Sequence, residues 1–188
     1  MTASVMPFSE GYGPGYVEAA LLRGSWYEID LGAVRNNYRQ LRSHLPSGVR
    51  IYACLKRNGY GCGAAPMANA LASEGVDGFA VSSVLDAISI RKTGIVQPIL
   101  LYPGTLPAAG LMIEALDLTV SISSLDELER WRSAMTRTRA FIKVDLGFFR
   151  AGVTPREAGP LLSAAQRCPD VKVAGILSDI SALETELV

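Results

Sequence analysis

Residues 51–61 form the segment that decides the fold, and they read Ile-Tyr-Ala-Cys-Leu-Lys-Arg-Asn-Gly-Tyr-Gly. A short apolar run ends at Lys56, and a glycine-rich turn follows at once. Strand alternation places the odd-numbered apolar side chains on one face, and Tyr52, Cys54 and Lys56 on the other. A buried amine favours its neutral, nucleophilic form, but a lysine at a strand end also commonly extends to solvent. Position alone leaves both interpretations of Lys56 open.

Similar apolar runs recur along the chain and alternate with helical patterns. We predict strands at 50–55, 78–82, 98–102, 118–122, 140–145 and 172–177. We predict helices at about 32–45, 64–75, 83–93, 106–115, 124–135 and 155–167. Ser124 and Thr154-Pro155 are helix start signals, and Gly75 and Gly94 are stop signals. The alternation predicts a parallel sheet covered by helices, either a (β/α)8 barrel or a doubly wound open sheet. No GxGxxG or Walker loop follows a strand, which disfavours the nucleotide-binding form.

Composition indicates an ordinary globular protein. The chain has 188 residues, of which 49% are hydrophobic, and its 18 Lys and Arg balance 18 Asp and Glu. A zero net charge disfavours nucleic-acid or anionic-membrane partners, and no stretch approaches the ~20 apolar residues of a membrane span. Three cysteines without a CxxC pair and a single histidine predict no metal site, and reduced thiols favour a cytoplasmic location. Residues 1–24 are expected to form a flexible extension, and residues 25–188 the folded domain.

A second informative segment is residues 140–153, Ala-Phe-Ile-Lys-Val-Asp-Leu-Gly-Phe-Phe-Arg-Ala-Gly-Val. Alternation places Lys143 and Asp145 on one strand face and two apolar side chains on the other. The apolar face suits packing on helices, so the charges should point away from them. Because buried charges need partners, Lys143, Asp145 and Arg150 could form a network. A structural layer of ion pairs and a functional site fit this pattern equally well.

Together the two segments resemble the alanine racemase family, in its N-terminal barrel domain that binds pyridoxal phosphate. Further matches lie at 26–31, 78–81 and 91–100, with a weaker one at 175–178, and the resemblance runs from about Trp26 to Ser181. It implies a TIM-barrel type of fold, (β/α)8. It also implies an isomerase of D-alanine biosynthesis that interconverts L- and D-alanine, with alanine as the expected substrate.

The resemblance implies a role for four residues. Lys56 would bind pyridoxal phosphate covalently and remove the α-proton of the substrate. Tyr60 would donate its hydroxyl to the cofactor phosphate. Arg150 would lie near the phenolic oxygen of the cofactor and steer the substrate carboxylate. Lys143 corresponds to a lysine that is carboxylated in many members, where it pairs with the arginine.

The chain also departs from the family pattern. About six of the eight expected βα units are present, so the barrel is expected to be incomplete and the chain truncated or split. The second base of the family, a tyrosine of a C-terminal domain acting across a dimer, is not found. The expected partner is therefore a second copy or a complementing C-terminal fragment, with little activity from this chain alone. Asp179 stands where the family has a histidine. An alternative function is a pyridoxal-phosphate-binding or homeostasis protein without racemisation, or an inactive fragment.

Overall fold

The computed structural model describes residues 27–134 and 137–180. The chain divides into two units, Met1–Asp30 and Leu31–Val188, and every element described below belongs to the second. The extension expected over residues 1–24 lies outside the described residues. Within the described ranges, no helix is long and apolar enough to cross a membrane.

The elements alternate as the sequence predicts. The strands are β1 (Tyr52–Cys54), β2 (Gly78–Val81), β3 (Ile99–Leu101), β4 (Leu118–Ile122), β5 (Thr138–Lys143) and β6 (Val171–Leu177). The helices are α1 (Leu31–Ser43), α2 (Ala64–Ala72), α3 (Val84–Arg91), α4 (Gly110–Ala115, after a 3-10 turn at Pro107–Ala109), α5 (Leu125–Ser133) and α6 (Pro155–Gln166). A further short segment, Lys56–Tyr60, is called the lysine turn below. All six predicted strands and all six predicted helices are confirmed, and their ends differ from the predicted ends by a few residues.

Strand order distinguishes the two architectures that the sequence leaves open. The six strands lie in the order β1-β2-β3-β4-β5-β6, and all neighbours are parallel. A doubly wound sheet reverses its order at a switch point, whereas each βα unit of a barrel adds its strand beside the previous one. The unreversed order therefore identifies an α/β fold of the (β/α)8-barrel type, with six of its strands in the described residues.

The core lies between the sheet and the helices. It includes apolar side chains on the helix-facing side of the strands and of the residues that directly follow them. Among these are Leu55, Ile142 and Val144, which are 2%, 1% and 5% exposed. This confirms the predicted face for the apolar side chains of both informative segments. Strands β2, β3 and β4 are buried along their whole length, as expected for parallel strands covered on both faces.

The predicted start and stop signals act at the helix ends. The hydroxyl of Ser124 accepts a hydrogen bond from Glu127 N at 3.0 Å, and Thr154 N donates to the Glu157 carboxylate at 3.0 Å. The stop signal Gly94 follows α3 with φ +85°, a conformation that glycine adopts more easily than other residues.

Candidate active site

The candidate site lies along one edge of the sheet, where the carboxyl ends of the parallel strands meet. Lys56 follows β1, Tyr102 follows β3, Lys143 ends β5 and Asp179 comes just after β6. In barrels, this edge carries the chemistry, because the loops that follow the strands lie together there. The fold thus brings side chains from four separate strands to one place.

Lys56 is half-buried and lies between two aromatic rings. Its Nζ is 4.9 Å from the centre of the Tyr102 ring and 5.9 Å from that of Tyr60, within the range of a cation–π contact. Within residues 27–134 and 137–180, no carboxylate forms an ion pair with Nζ. The amine is therefore not held by an acidic side chain of the described residues.

The two tyrosines meet at Cys54, which shares the strand face of Lys56. The Tyr60 hydroxyl lies 3.1 Å from Cys54 Sγ, and either atom can donate the hydrogen bond. Burial raises the pKa of Tyr102 to about 12, and the nearby Cys54, Tyr60 and Asp179 groups act in the same direction. Tyr102 is therefore a neutral hydroxyl at physiological pH.

The lysine turn has an unusual backbone. Arg57, Asn58, Gly59 and Tyr60 have φ values of 51°, 56°, 62° and 57°, which is the left-handed helical region. This conformation costs an L-residue about 1–2 kcal/mol. The Asp86 carboxylate accepts hydrogen bonds from the N–H groups of Arg57 and Asn58 in this turn. Strained backbone of this kind clusters at functional sites.

Lys143 forms a buried ion pair. Its Nζ lies 2.9 Å from Asp179 Oδ2, and its side chain is 3% exposed. The strand face predicted for Lys143 is confirmed, because its neighbours Ile142 and Val144 pack in the core. Its partner differs from the network suggested by the sequence. Asp179 replaces Asp145 as the carboxylate that neutralises the buried ammonium.

The other two members of the suggested network have different roles. Asp145 Oδ1 accepts hydrogen bonds from Gly147 N at 2.9 Å and Phe149 N at 3.1 Å, and these backbone bonds, that of Gly147 first, lower the pKa of Asp145. The Arg150 guanidinium lies 4.5 Å from the centre of the Phe148 ring. The sequence suggestion fails because Asp145 lies past the end of β5, where its carboxylate organises the loop.

Sequence reasoning missed Tyr102 and Asp86. Tyr102 directly follows the apolar run Ile99–Leu101, and a polar residue at the end of a predicted parallel strand is a signal that could have found it. Asp86 accepts hydrogen bonds from Asn58 and Arg57 of the lysine turn, which precede it in the sequence by 28 and 29 residues. Nothing local distinguishes it from an acidic residue that stabilises its own helix start.

The unreversed parallel sheet, with a lysine at its carboxyl edge, defines a barrel-type α/β domain. Comparison with known proteins names the family. The family described as "Alanine racemase, N-terminal domain" matches residues 29–185, and this chain belongs to it.

Individual proteins that resemble this chain belong to the same family. The chain is 34% identical over 167 residues to the alanine racemase of Symbiobacterium thermophilum, covering 87% of this chain and 44% of that protein. It is 32% identical over 189 residues to "Alanine racemase, catabolic" of Mesorhizobium japonicum, covering 98% and 49%. A crystal structure of alanine racemase from E. faecalis superimposes with a TM-score of 0.77 at 31% identity, covering 82% and 43%. The chain thus spans about half the length of the curated relatives that it matches.

Proposed function

We propose that this chain takes part in a pyridoxal-phosphate-dependent alanine racemase reaction, the interconversion of L- and D-alanine, with Lys56 as the residue that binds the cofactor and moves the proton. Lys56 supports this most directly, since its amine lies at the carboxyl edge of the sheet, beside two aromatic rings. Family membership supports the class of reaction, an isomerisation. The roles of the individual residues are those that the family resemblance implies, and the geometry of the site is compatible with them.

The residues at this edge suit the proposed cofactor. Lys56 offers a primary amine for its aldehyde. Tyr60 can accept a hydrogen bond from the Cys54 thiol at 3.1 Å, which leaves its own hydrogen free to donate to a phosphate oxygen. Arg150 offers a guanidinium for a substrate carboxylate. When bound, pyridoxal phosphate withdraws electrons from the substrate and makes its α-proton acidic.

Lys56 is then the group that holds and releases a proton at Nζ. A general base must be able to accept a proton, and within the described residues no carboxylate forms an ion pair with Nζ. Tyr102 stays neutral beside it because its pKa is raised to about 12. The ring thus contacts the amine without adding a negative charge at physiological pH.

Lys143 is proposed as the lysine that carbon dioxide modifies. The step joins a neutral amine to carbon dioxide, which forms an N–C bond and releases one proton. In the structure, the Nζ atom of Lys143 is engaged in an ion pair with Asp179 at 2.9 Å. Asp179 is therefore proposed to oppose carboxylation, and the carbamate would form only when this ion pair opens.

We also propose that full turnover needs a second protein surface, from another copy of this chain or from a complementing C-terminal fragment. Inversion of a carbon centre calls for bases on both faces, and Lys56 is the candidate for one. Within the described residues, β1 and β6 each pair with one neighbouring strand, whereas a closed barrel leaves no strand edge unpaired. A cytoplasmic location and a role in D-alanine supply belong to the same proposal.

Exchange of the α-proton tests the function. The chain is incubated with pyridoxal phosphate and L-alanine in deuterated water, and loss of the α-proton signal is followed by NMR, with D-alanine measured separately. We expect exchange that Lys56→Ala abolishes and that Lys92→Ala, which removes an exposed lysine at the end of α3, leaves intact. Cofactor binding without exchange would favour the alternative of a non-racemising holder. Equal exchange in Lys56→Ala and the unaltered chain would contradict the role of Lys56.

A further inference from the structure

The lysine turn has backbone donors that its own segment does not satisfy. As at the start of any helix, the first N–H groups lack an acceptor one turn earlier. Farther along, the donors bond locally: Gly59 N donates to Leu55 O at 3.0 Å, and Gly61 N to Arg57 O at 3.1 Å. At the start of the turn, the N–H groups of Arg57 and Asn58 point to another part of the chain.

The acceptor of both is the carboxylate of Asp86. Arg57 N lies 3.2 Å from Oδ2, and Asn58 N lies 2.9 Å from Oδ1. One carboxylate thus holds two consecutive amides that directly follow Lys56. Hydrogen bonds from amides to a carboxylate are charge-assisted and about twice as strong as neutral ones. The exit of the turn is held as well, because Asn58 Oδ1 accepts from Ala64 N at 2.8 Å.

Asp86 differs from the residues at the same position of two other helices. It is the third residue of α3, and its N–H donates to the start residue Ser83 at 3.1 Å. Glu127 and Glu157 are the third residues of α5 and α6, and their carboxylates bond the start of their own helices, at Ser123 and Thr154. The Asp86 carboxylate instead reaches the lysine turn. Its side chain therefore links α3 to the backbone that carries Lys56.

Asp86 is suited to this contact by its place in the fold. α3 begins after β2, which pairs with β1, so its first turn lies at the same carboxyl edge as Lys56. The Ser83 contact orients the helix start, and α3 packs against both the lysine turn and β2. An aspartate is short enough to keep its carboxylate near these elements.

We propose that Asp86 is a positioning residue, which holds the left-handed turn after β1 and thereby directs the amine of Lys56 toward Tyr102 and the carboxyl edge of the sheet. The functional consequence rests on the proposed role of Lys56. The structural part, that Asp86 holds this turn, stands independently of any cofactor. The two parts can therefore fail separately.

The structural part is tested on the protein without cofactor. Amide hydrogen exchange at Arg57 and Asn58 is measured by NMR in the unaltered chain, in Asp86→Ala and in Asp86→Asn, which keeps one acceptor oxygen. We expect about tenfold faster exchange at these two amides in Asp86→Ala, the size that corresponds to losing charge-assisted bonds, and a smaller effect in Asp86→Asn. Glu157→Ala is the matched control, since it removes the carboxylate from the same position of α6. Unchanged exchange at both amides in Asp86→Asn and Asp86→Ala would overturn the inference.

The functional part is tested by the rate at which borohydride fixes pyridoxal phosphate on Lys56, measured by peptide mapping. We expect about a tenfold slower rate in Asp86→Ala, by the same conversion of free energy into fold-change, a smaller decrease in Asp86→Asn, and the unaltered rate in Glu157→Ala. The circular dichroism of the bound cofactor is a second readout, because it depends on cofactor orientation and is insensitive to a uniform loss of stability.

Altered amide exchange with an unchanged rate of fixation and unchanged dichroism would overturn the positioning of Lys56. Absence of cofactor from Lys56 in the unaltered chain would contradict the proposed function and leave the amide-exchange result to decide the structural part. If Asp86→Ala does not fold, Asp86→Asn alone decides both parts.

Discussion

Lys143 Nζ lies 2.9 Å from Asp179 Oδ2, and this contact joins the end of β5 to the residues that follow β6. The Lys143 side chain is 3% exposed and that of Asp179 is 28% exposed. A buried ammonium without a partner carries a large desolvation cost. The Asp179 carboxylate therefore neutralises the buried Lys143 ammonium at the end of β5.

The first prediction concerns stability. Asp179→Asn leaves the Lys143 ammonium buried beside a neutral amide, so we expect a loss toward the lower end of the ~3–5 kcal/mol found for broken buried pairs. The partial exposure of Asp179 reduces the effect. Lys143→Met removes the charge itself and is expected to cost less. Urea unfolding of both variants and of the double variant measures this, and an Asp179→Asn chain as stable as the original would contradict the account.

A second prediction concerns modification of Lys143. Because the ion pair with Asp179 engages the Lys143 amine, loss of the Asp179 carboxylate should favour the carbamate. We expect native mass spectrometry in bicarbonate buffer to show a higher carboxylated fraction in Asp179→Asn than in the unaltered chain, and none in Lys143→Met. A higher fraction in the unaltered chain than in Asp179→Asn would show that the aspartate does not oppose the reaction.

The third prediction concerns the pH dependence of Tyr102. Burial raises its pKa from the ordinary value of 10.0 to about 12, so the folded protein holds this proton more tightly than the unfolded chain. The contribution to stability is therefore constant below about pH 10 and is lost as the pH rises toward about 12.

Ultraviolet titration of tyrosine ionisation measures this shift. The difference between the unaltered chain and Tyr102→Phe isolates one hydroxyl from the other tyrosines. We expect the midpoint of the difference curve near 12. A midpoint near 10 would mean that Tyr102 is solvated and does not lie where the structure has it.

Much of the architecture could be predicted because it depends on local patterns. The apolar runs predict the six strands, and alternation correctly assigns Lys56 and Lys143 to the faces opposite the core. The barrel type could not be chosen from alternation alone, since strand order depends on which runs pair. It became predictable only through resemblance to a family.

The site was predictable in part. Lys56 and Tyr60 stand out in one segment. Asp86 contacts that segment across 28 residues of sequence, and Asp179 contacts Lys143 across 36. Asp145 shows the converse error: its closeness to Lys143 in sequence suggested a pair, but the strand ends first and its carboxylate serves the loop amides. Contacts of this kind are decided by the three-dimensional arrangement of the loops at the edge.

The central claim is that Lys56 carries the cofactor, and one measurement tests it most directly. The purified 188-residue chain is incubated with pyridoxal phosphate, reduced with borohydride and digested, and the modified peptide is identified by mass spectrometry. We expect a single major adduct on Lys56, lost in Lys56→Ala and retained in Lys92→Ala. An adduct distributed over surface lysines, with the same total in Lys56→Ala as in the unaltered chain, would contradict the claim.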